Sequence, residues 1–336
     1  MAVIDDKEVD TNASASAYGW VFQVGAGITL MLDKIKELTA IKMEGISDDI
    51  ELTLKGGKVY AQAKSVTRIG DQRNAYKDLK DSLKLLESDG KNGDAVKLVY
   101  ITNIINPLSS KIPSAYEYGH TYDFSVLPED DQNKIKNLVS SDFSTEKLQV
   151  HILNFFGEGD NKFASVKVKI EEFLRAAIND ASYSQRLLDS WFETFMVNCS
   201  DKPDKEKRID LTKNQIMMPV IVLVIDPPLE EDEFNKVCDY DDYAEIEQEF
   251  RNIINLHTYD YEFVAEVAGD FLRKREIQKE KAKYKYEYVK NEWQNYKSNF
   301  SEINDEEKKE ALIKLILLTI IIRRSKINKI REAANL

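Results

Sequence analysis

The sequence of this 336-residue chain predicts an α/β fold: a mixed central sheet flanked by helices, followed by a mostly helical C-terminal region. Three observations predict it. A helix-like period over residues 14–37 leads into three short strand-like segments, then a helix and a fourth strand. The second and third strands meet at Gly56-Gly57 with hairpin spacing. Beyond Pro227-Pro228 the pattern is mostly helical.

Residues 14–37 open on Ser14 and repeat apolar side chains at Trp20 or Val21, then Val24, Ile28, Leu32 and Ile35, which is one face of a helix. Residues 41–44 are a short strand. Residues 49–54 alternate, with Ile50, Leu52 and Leu54 on one face and Asp49, Glu51 and Thr53 on the other. Residues 59–65 alternate again and put Tyr60, Gln62 and Lys64 together. A helix is expected over 74–88 and a strand over 95–102, then an irregular stretch to 141 and a strand over 148–155. Helices follow near 163–178 and 183–197. The apolar run 217–225 is short enough for a buried strand, with a helix segment as the open alternative. These elements place a first domain at 1–226. Residues 227–336 read as an acidic linker and a helical region for partner binding or assembly.

Composition narrows the class. Two cysteines exclude a disulfide scaffold and fit a reducing cytoplasm, and three well-separated histidines show no zinc-ligand spacing. The most apolar stretch, 311–322, is shorter than the roughly 20 residues a spanning helix needs and contains Lys314, so no membrane partner is expected. A soluble, cytoplasmic protein is expected. Net charge is −12, but residues 226–250 hold eleven acids and one lysine. The rest of the chain is close to balanced, so the total does not exclude nucleic acid as a partner.

The chemistry concentrates in the hairpin. Carboxylates at Glu44, Asp48, Asp49 and Glu51 precede the turn, and Gln62-Ala63-Lys64 follows it. Counted outward from Gly56-Gly57, Glu51 falls opposite Gln62 and Asp49 opposite Lys64, all on one face. This pattern resembles the metal-dependent site of the PD-(D/E)xK nucleases. On that resemblance Asp49 is the main ligand of Mg²⁺ or Mn²⁺, with Glu44 or Glu51 as a second. Gln62 takes the position usually held by an acid, the Ala63 carbonyl adds a backbone ligand, and Lys64 positions or activates water at the scissile phosphate. Hard oxygen donors select these ions over zinc. The plain alternative is a solvent-facing pair of polar strands. Arg73, Lys77, Lys80 and Lys84 fall along one face of the next helix, where a DNA backbone passing Lys64 would lie; interleaved Asp78 and Asp81 also fit a solvated face.

Gly19-Trp-Val-Phe-Gln23, Glu44 with Asp48-Asp49-Ile50, Gln62-Ala-Lys64 and Val99-Tyr-Ile-Thr-Asn103 together resemble the double-stranded DNA endonuclease domain of bacterial anti-phage effectors. That family serves as the nuclease arm of CBASS effectors and as the nuclease subunit of Lamassu systems. The resemblance implies a restriction-endonuclease-like fold and low-specificity cleavage of double-stranded DNA. A CBASS effector of this type carries an α/β cyclic-nucleotide sensor, for which the last hundred or so residues are too few and too helical. The Lamassu case fits better and implies an SMC-like ATPase and a small accessory subunit as partners, with a homo-oligomer as a further possibility. Two other readings stay open: a sequence-specific restriction-type enzyme, and a nuclease-fold subunit that binds partners without catalysis.

Overall fold

The computed structural model describes residues 12–43, 49–109, 111–200, 210–225, 229–240, 243–278 and 283–336. Backbone contacts divide the chain into two units, Met1–Val220 with Ala333–Leu336, and Ile221–Glu332.

The first unit is α/β. In chain order it holds α1 (Asn12–Asp33), β1 (Leu38–Met43), β2 (Ile50–Leu54), β3 (Gly57–Lys64), α2 (Ala75–Gly90), β4 (Ala95–Thr102), β5 (His120–Asp123), α3 (Glu129–Lys136), β6 (Leu148–Ile152), α4 (Ala164–Ile178), α5 (Ser184–Ser200) and β7 (Leu211–Thr212). The seven strands form one sheet in the order β5-β6-β4-β3-β2-β1-β7. β3, β4 and β6 run parallel and the other pairings are antiparallel, so the sheet is mixed. The parallel β3–β4 pair needs a crossover, and α2 supplies it. Leu79, Leu83 and Leu86 of α2 pack on Tyr60 of β3 and on Leu98 and Tyr100 of β4. Because α2 runs back along β3, its first turn lies over the C-terminal ends of β3 and β4. The opposite face carries α1, where Gly27 lets the helix approach so closely that a Cβ there would meet Met43 Sδ at 2.8 Å.

The hairpin register differs from the sequence expectation by two residues. Leu54 pairs with Gly57, Glu51 with Tyr60 and Ile50 with Ala61. The turn is therefore Lys55-Gly56, and Gly57 is already a ladder residue. The reason lies in the neighbouring chain. Gly57 has φ +143°, and a Cβ there would sit 2.5 Å from the Asp94 carbonyl oxygen, which accepts a hydrogen bond from the Lys58 N–H at 2.7 Å. Only glycine allows that approach, so it fixes Gly57 inside the sheet.

A second correction concerns residues 217–225. They belong to α6 (Lys213–Ile225), not to a strand. An apolar run reads alike in either state, and the deciding signal lies upstream. Thr212 and Gln215 form a capping box: Gln215 Oε1 accepts from the Thr212 N–H at 2.9 Å, and Thr212 Oγ1 accepts from the Gln215 N–H at 3.4 Å. Pro219 sits inside this helix and removes one backbone donor.

The second unit is helical among its described residues, with α7 (Glu231–Phe234), α8 (Tyr243–Glu249), α9 (Arg251–Tyr259), α10 (Tyr261–Glu276), α11 (Tyr284–Glu292) and most of α12 (Glu306–Ala334). The acidic stretch expected as a linker instead contributes Phe234, Val237 and Ile246 to the unit's core. Its Glu233 carboxylate takes hydrogen bonds from Lys236, Lys285 and Tyr286. The apolar 311–322 run needs no partner to cover it: Leu312, Ile313, Ile316, Leu317 and Leu318 are fully buried within this unit. Lys314 stays compatible with that core by pairing its ammonium with Glu310 and laying it 5.9 Å from the Trp293 ring centre. No helix of the described residues is long and apolar enough to cross a membrane.

Candidate active site

The site is built where β2 ends and β3 continues. Beyond the Ile50–Ala61 pair the ladder has lost its partner strand, and the Asp49 side chain takes over. Its Oδ2 accepts from the Ala63 N–H at 2.8 Å and from Lys64 Nζ at 3.1 Å. In a strand the N–H and C=O of one residue point the same way, so the Ala63 carbonyl also faces the Asp49 side. The Asp49 side chain is 15% exposed and that of Lys64 31%, so the pair is sheltered yet open to solvent at one end. Gln62 is fully buried and continues the Tyr60 face toward α2.

The structure thus brings Asp49 and Lys64 together, with Ala63 between them. Glu51 goes elsewhere: it pairs with Lys58 at 2.7 Å, and Asp94 lies 3.6 Å from the same ammonium. Glu51 is the largest cause of a raised Lys58 pKa. Glu44 and Asp48 lie outside the described residues. Among the described residues no group of three or more His, Cys, Asp or Glu side chains is arranged to hold a metal. The donor types that are present, the Asp49 carboxylate, the Ala63 carbonyl and the Gln62 amide, are oxygen donors of the kind a hard divalent cation takes.

Asn103, which the sequence shows only as the end of the Val99-Tyr-Ile-Thr-Asn103 motif, has a positioning role. Asn103, fully buried just past β4, accepts from the Val66 N–H at 2.9 Å and donates to the Val66 carbonyl at 2.8 Å. Its amide acts as one more strand residue beside β3 and steers the chain as it leaves Lys64. Tyr18 of α1 donates to the Phe155 carbonyl nearby and lies 3.4 Å from Asn103 Nδ2. The signal was the Thr-Asn pair at the end of an apolar strand, since Asn is disfavoured there unless its amide bonds backbone.

Of the four basic residues expected to meet DNA, Lys77, Lys80 and Lys84 are exposed on α2 and form no ion pair among the described residues. Arg73 precedes the helix, and Asp71 occupies its guanidinium bidentately at 3.0 and 2.7 Å. That arginine lowers the Asp71 pKa to about 2. Ile69 and Tyr76, which flank Arg73, are 75% and 60% exposed. Both are large apolar groups left in solvent at the same end of the sheet.

No protein-family model matches this chain, and no curated protein is significantly similar to it in sequence. A structural similarity is found to the Acinetobacter baumannii Cap4 SAVED/CARF-domain containing receptor with the cyclic trinucleotide 3'3'3'-cAAA. Identity is 11% and the TM-score 0.38, covering 74% of this chain and 59% of that one. The chain therefore spans less than two thirds of that protein's length, and a functional reading rests on its own residues.

Proposed function

We propose that Asp49, Ala63 and Lys64, with Gln62 behind them, form a Mg²⁺- or Mn²⁺-dependent site that cuts double-stranded DNA with low sequence preference. One observation carries this reading. A sheltered carboxylate is held at the open end of a hairpin by a backbone N–H and an ammonium that still reaches solvent. Asp49 and the Ala63 carbonyl would hold the cation, with Gln62 and Glu44 as further donors, since Glu51 is taken by Lys58. When bound, such a cation supplies Lewis-acid stabilisation and an acidified water. Lys64 orients the attacking water and offsets charge at the phosphate. Lys77, Lys80 and Lys84 hold the DNA backbone, and Arg73 joins them by exchanging Asp71 for phosphate.

The wider role follows from the motif resemblance: an effector nuclease subunit of an anti-phage complex, working with an SMC-like ATPase and a small accessory subunit. A second reading has its own support. Asp49 also caps an unpaired ladder N–H, which a non-catalytic subunit would need too. Lys64→Ala separates the two. It abolishes degradation of plasmid DNA in Mg²⁺ while circular dichroism stays unchanged; a variant that cuts like the wild type overturns the assignment. Discrete fragments from the wild type, rather than a smear, would favour a restriction-type enzyme.

A further inference from the structure

The crossover helix brings a carboxylate to this site that the hairpin motif does not include. Asp78 lies on the first turn of α2, one residue before the buried Leu79 and four before the buried Ser82, so it belongs to the helix's sheet-facing side. That turn lies over the ends of β3 and β4. Asp78 is half-buried there, and its side chain takes no hydrogen bond among the described residues. Around it, Lys64 of β3, Lys77 and Asp81 of α2 and Tyr100 of β4 lie within electrostatic reach. The layer beneath is leucine-rich, yet it retains polar groups. Tyr100 and Ser82 are fully buried, and the Ser82 hydroxyl makes no hydrogen bond among the described residues.

Resting on the nuclease reading above, we propose that Asp78 is the carboxylate that takes the proton of the attacking water. Lys64 pairs with Asp49 at 3.1 Å and also acts electrostatically on Asp78, so one ammonium would orient a water that the second carboxylate deprotonates. In the step, the water O–H bond breaks and its proton passes to Asp78. The oxygen's lone pair forms the new P–O bond. The bond to the leaving ester oxygen breaks with its electron pair, and that oxygen takes a proton from solvent. Asp78 then returns its proton to water. Burial raises the Asp78 pKa, which suits a proton acceptor better than an ordinary carboxylate would.

The test is Asp78→Asn beside Asp78→Glu, Lys64→Ala and Asp49→Asn. Asp78→Asn should cut plasmid about 100-fold more slowly, the lower range for general-base catalysis, and lose the acidic limb of the pH–rate profile. Asp78→Glu should restore part of the rate. A second readout needs no activity. A carboxyl whose pKa is higher folded than unfolded costs stability at neutral pH, so Asp78→Asn should melt at or above the wild-type temperature at pH 7. That advantage should vanish below pH 4. If Lys64→Ala and Asp49→Asn abolish cutting while Asp78→Asn keeps the wild-type rate and pH profile, this proposal alone fails. If Asp78→Asn melts lower at pH 7, the residue is structural and the proposal fails. If the wild type does not cut, the nuclease reading falls and takes this one with it.

Discussion

His151 shows what burial does to a single side chain. It sits on β6 at 1% exposure, with Nδ1 2.6 Å from Thr121 Oγ1, and burial pushes its pKa down to about 4. The unfolded imidazole takes a proton near its ordinary value of about 6.5, whereas the folded one resists until about 4. The unfolded state therefore binds more protons across that window, and stability falls as pH drops through it. The loss is on the order of 3 kcal/mol. Denaturant melts of wild type and His151→Gln at pH 7 and pH 4.5 check this: the variant should lose less on acidification. Asn103 makes the opposite case, a buried polar group that is satisfied. Asn103→Ala strips both Val66 backbone groups of partners and should cost about 2 to 4 kcal/mol by chemical denaturation. Asp49 and Lys64 were legible in the sequence because strand alternation places them. The bonding of Asn103 and the role proposed for Asp78 were not, because they depend on which backbone and which helix turn pack beside the strand ends.

At the scale of elements, the hairpin was legible in kind and misread in register. Strand alternation has a period of two, so a two-residue shift keeps every side chain on its expected face. Faces were therefore right while partners were wrong, and Glu51 meets Lys58 instead of Gln62. What set the register was the approach of Gly57 to Asp94, a contact no local pattern encodes. This gives a paired prediction. Gly57→Ala should destabilise by about 2 kcal/mol or more, since both φ and space oppose it. Gly56→Ala meets nothing within 4 Å and should stay within about 0.5 kcal/mol of wild type in the same melts. For α6, the Thr212–Gln215 cap outweighed the strand-like composition. Gln215→Ala should cost about 1 kcal/mol.

At the scale of the whole molecule, the chain is acidic while α2 presents lysines that form no ion pair among the described residues. Most of the excess negative charge lies at residues 226–250, and Lys77, Lys80 and Lys84 stand exposed on α2. If that row meets a DNA backbone, replacing all three with Gln should weaken binding and lower the slope of log affinity against log salt by about 2.7. Fluorescence anisotropy on a labelled duplex across a salt series reads that slope; an unchanged slope would move the DNA path off α2. In the proposed site one carboxylate and one lysine divide the work at the hairpin's end. The most direct test of that division measures Mg²⁺ affinity by calorimetry and plasmid cleavage side by side for Asp49→Asn and Lys64→Ala. Asp49→Asn should lose both, and Lys64→Ala should lose cleavage while still binding Mg²⁺. Wild-type cleavage by either variant would contradict the account.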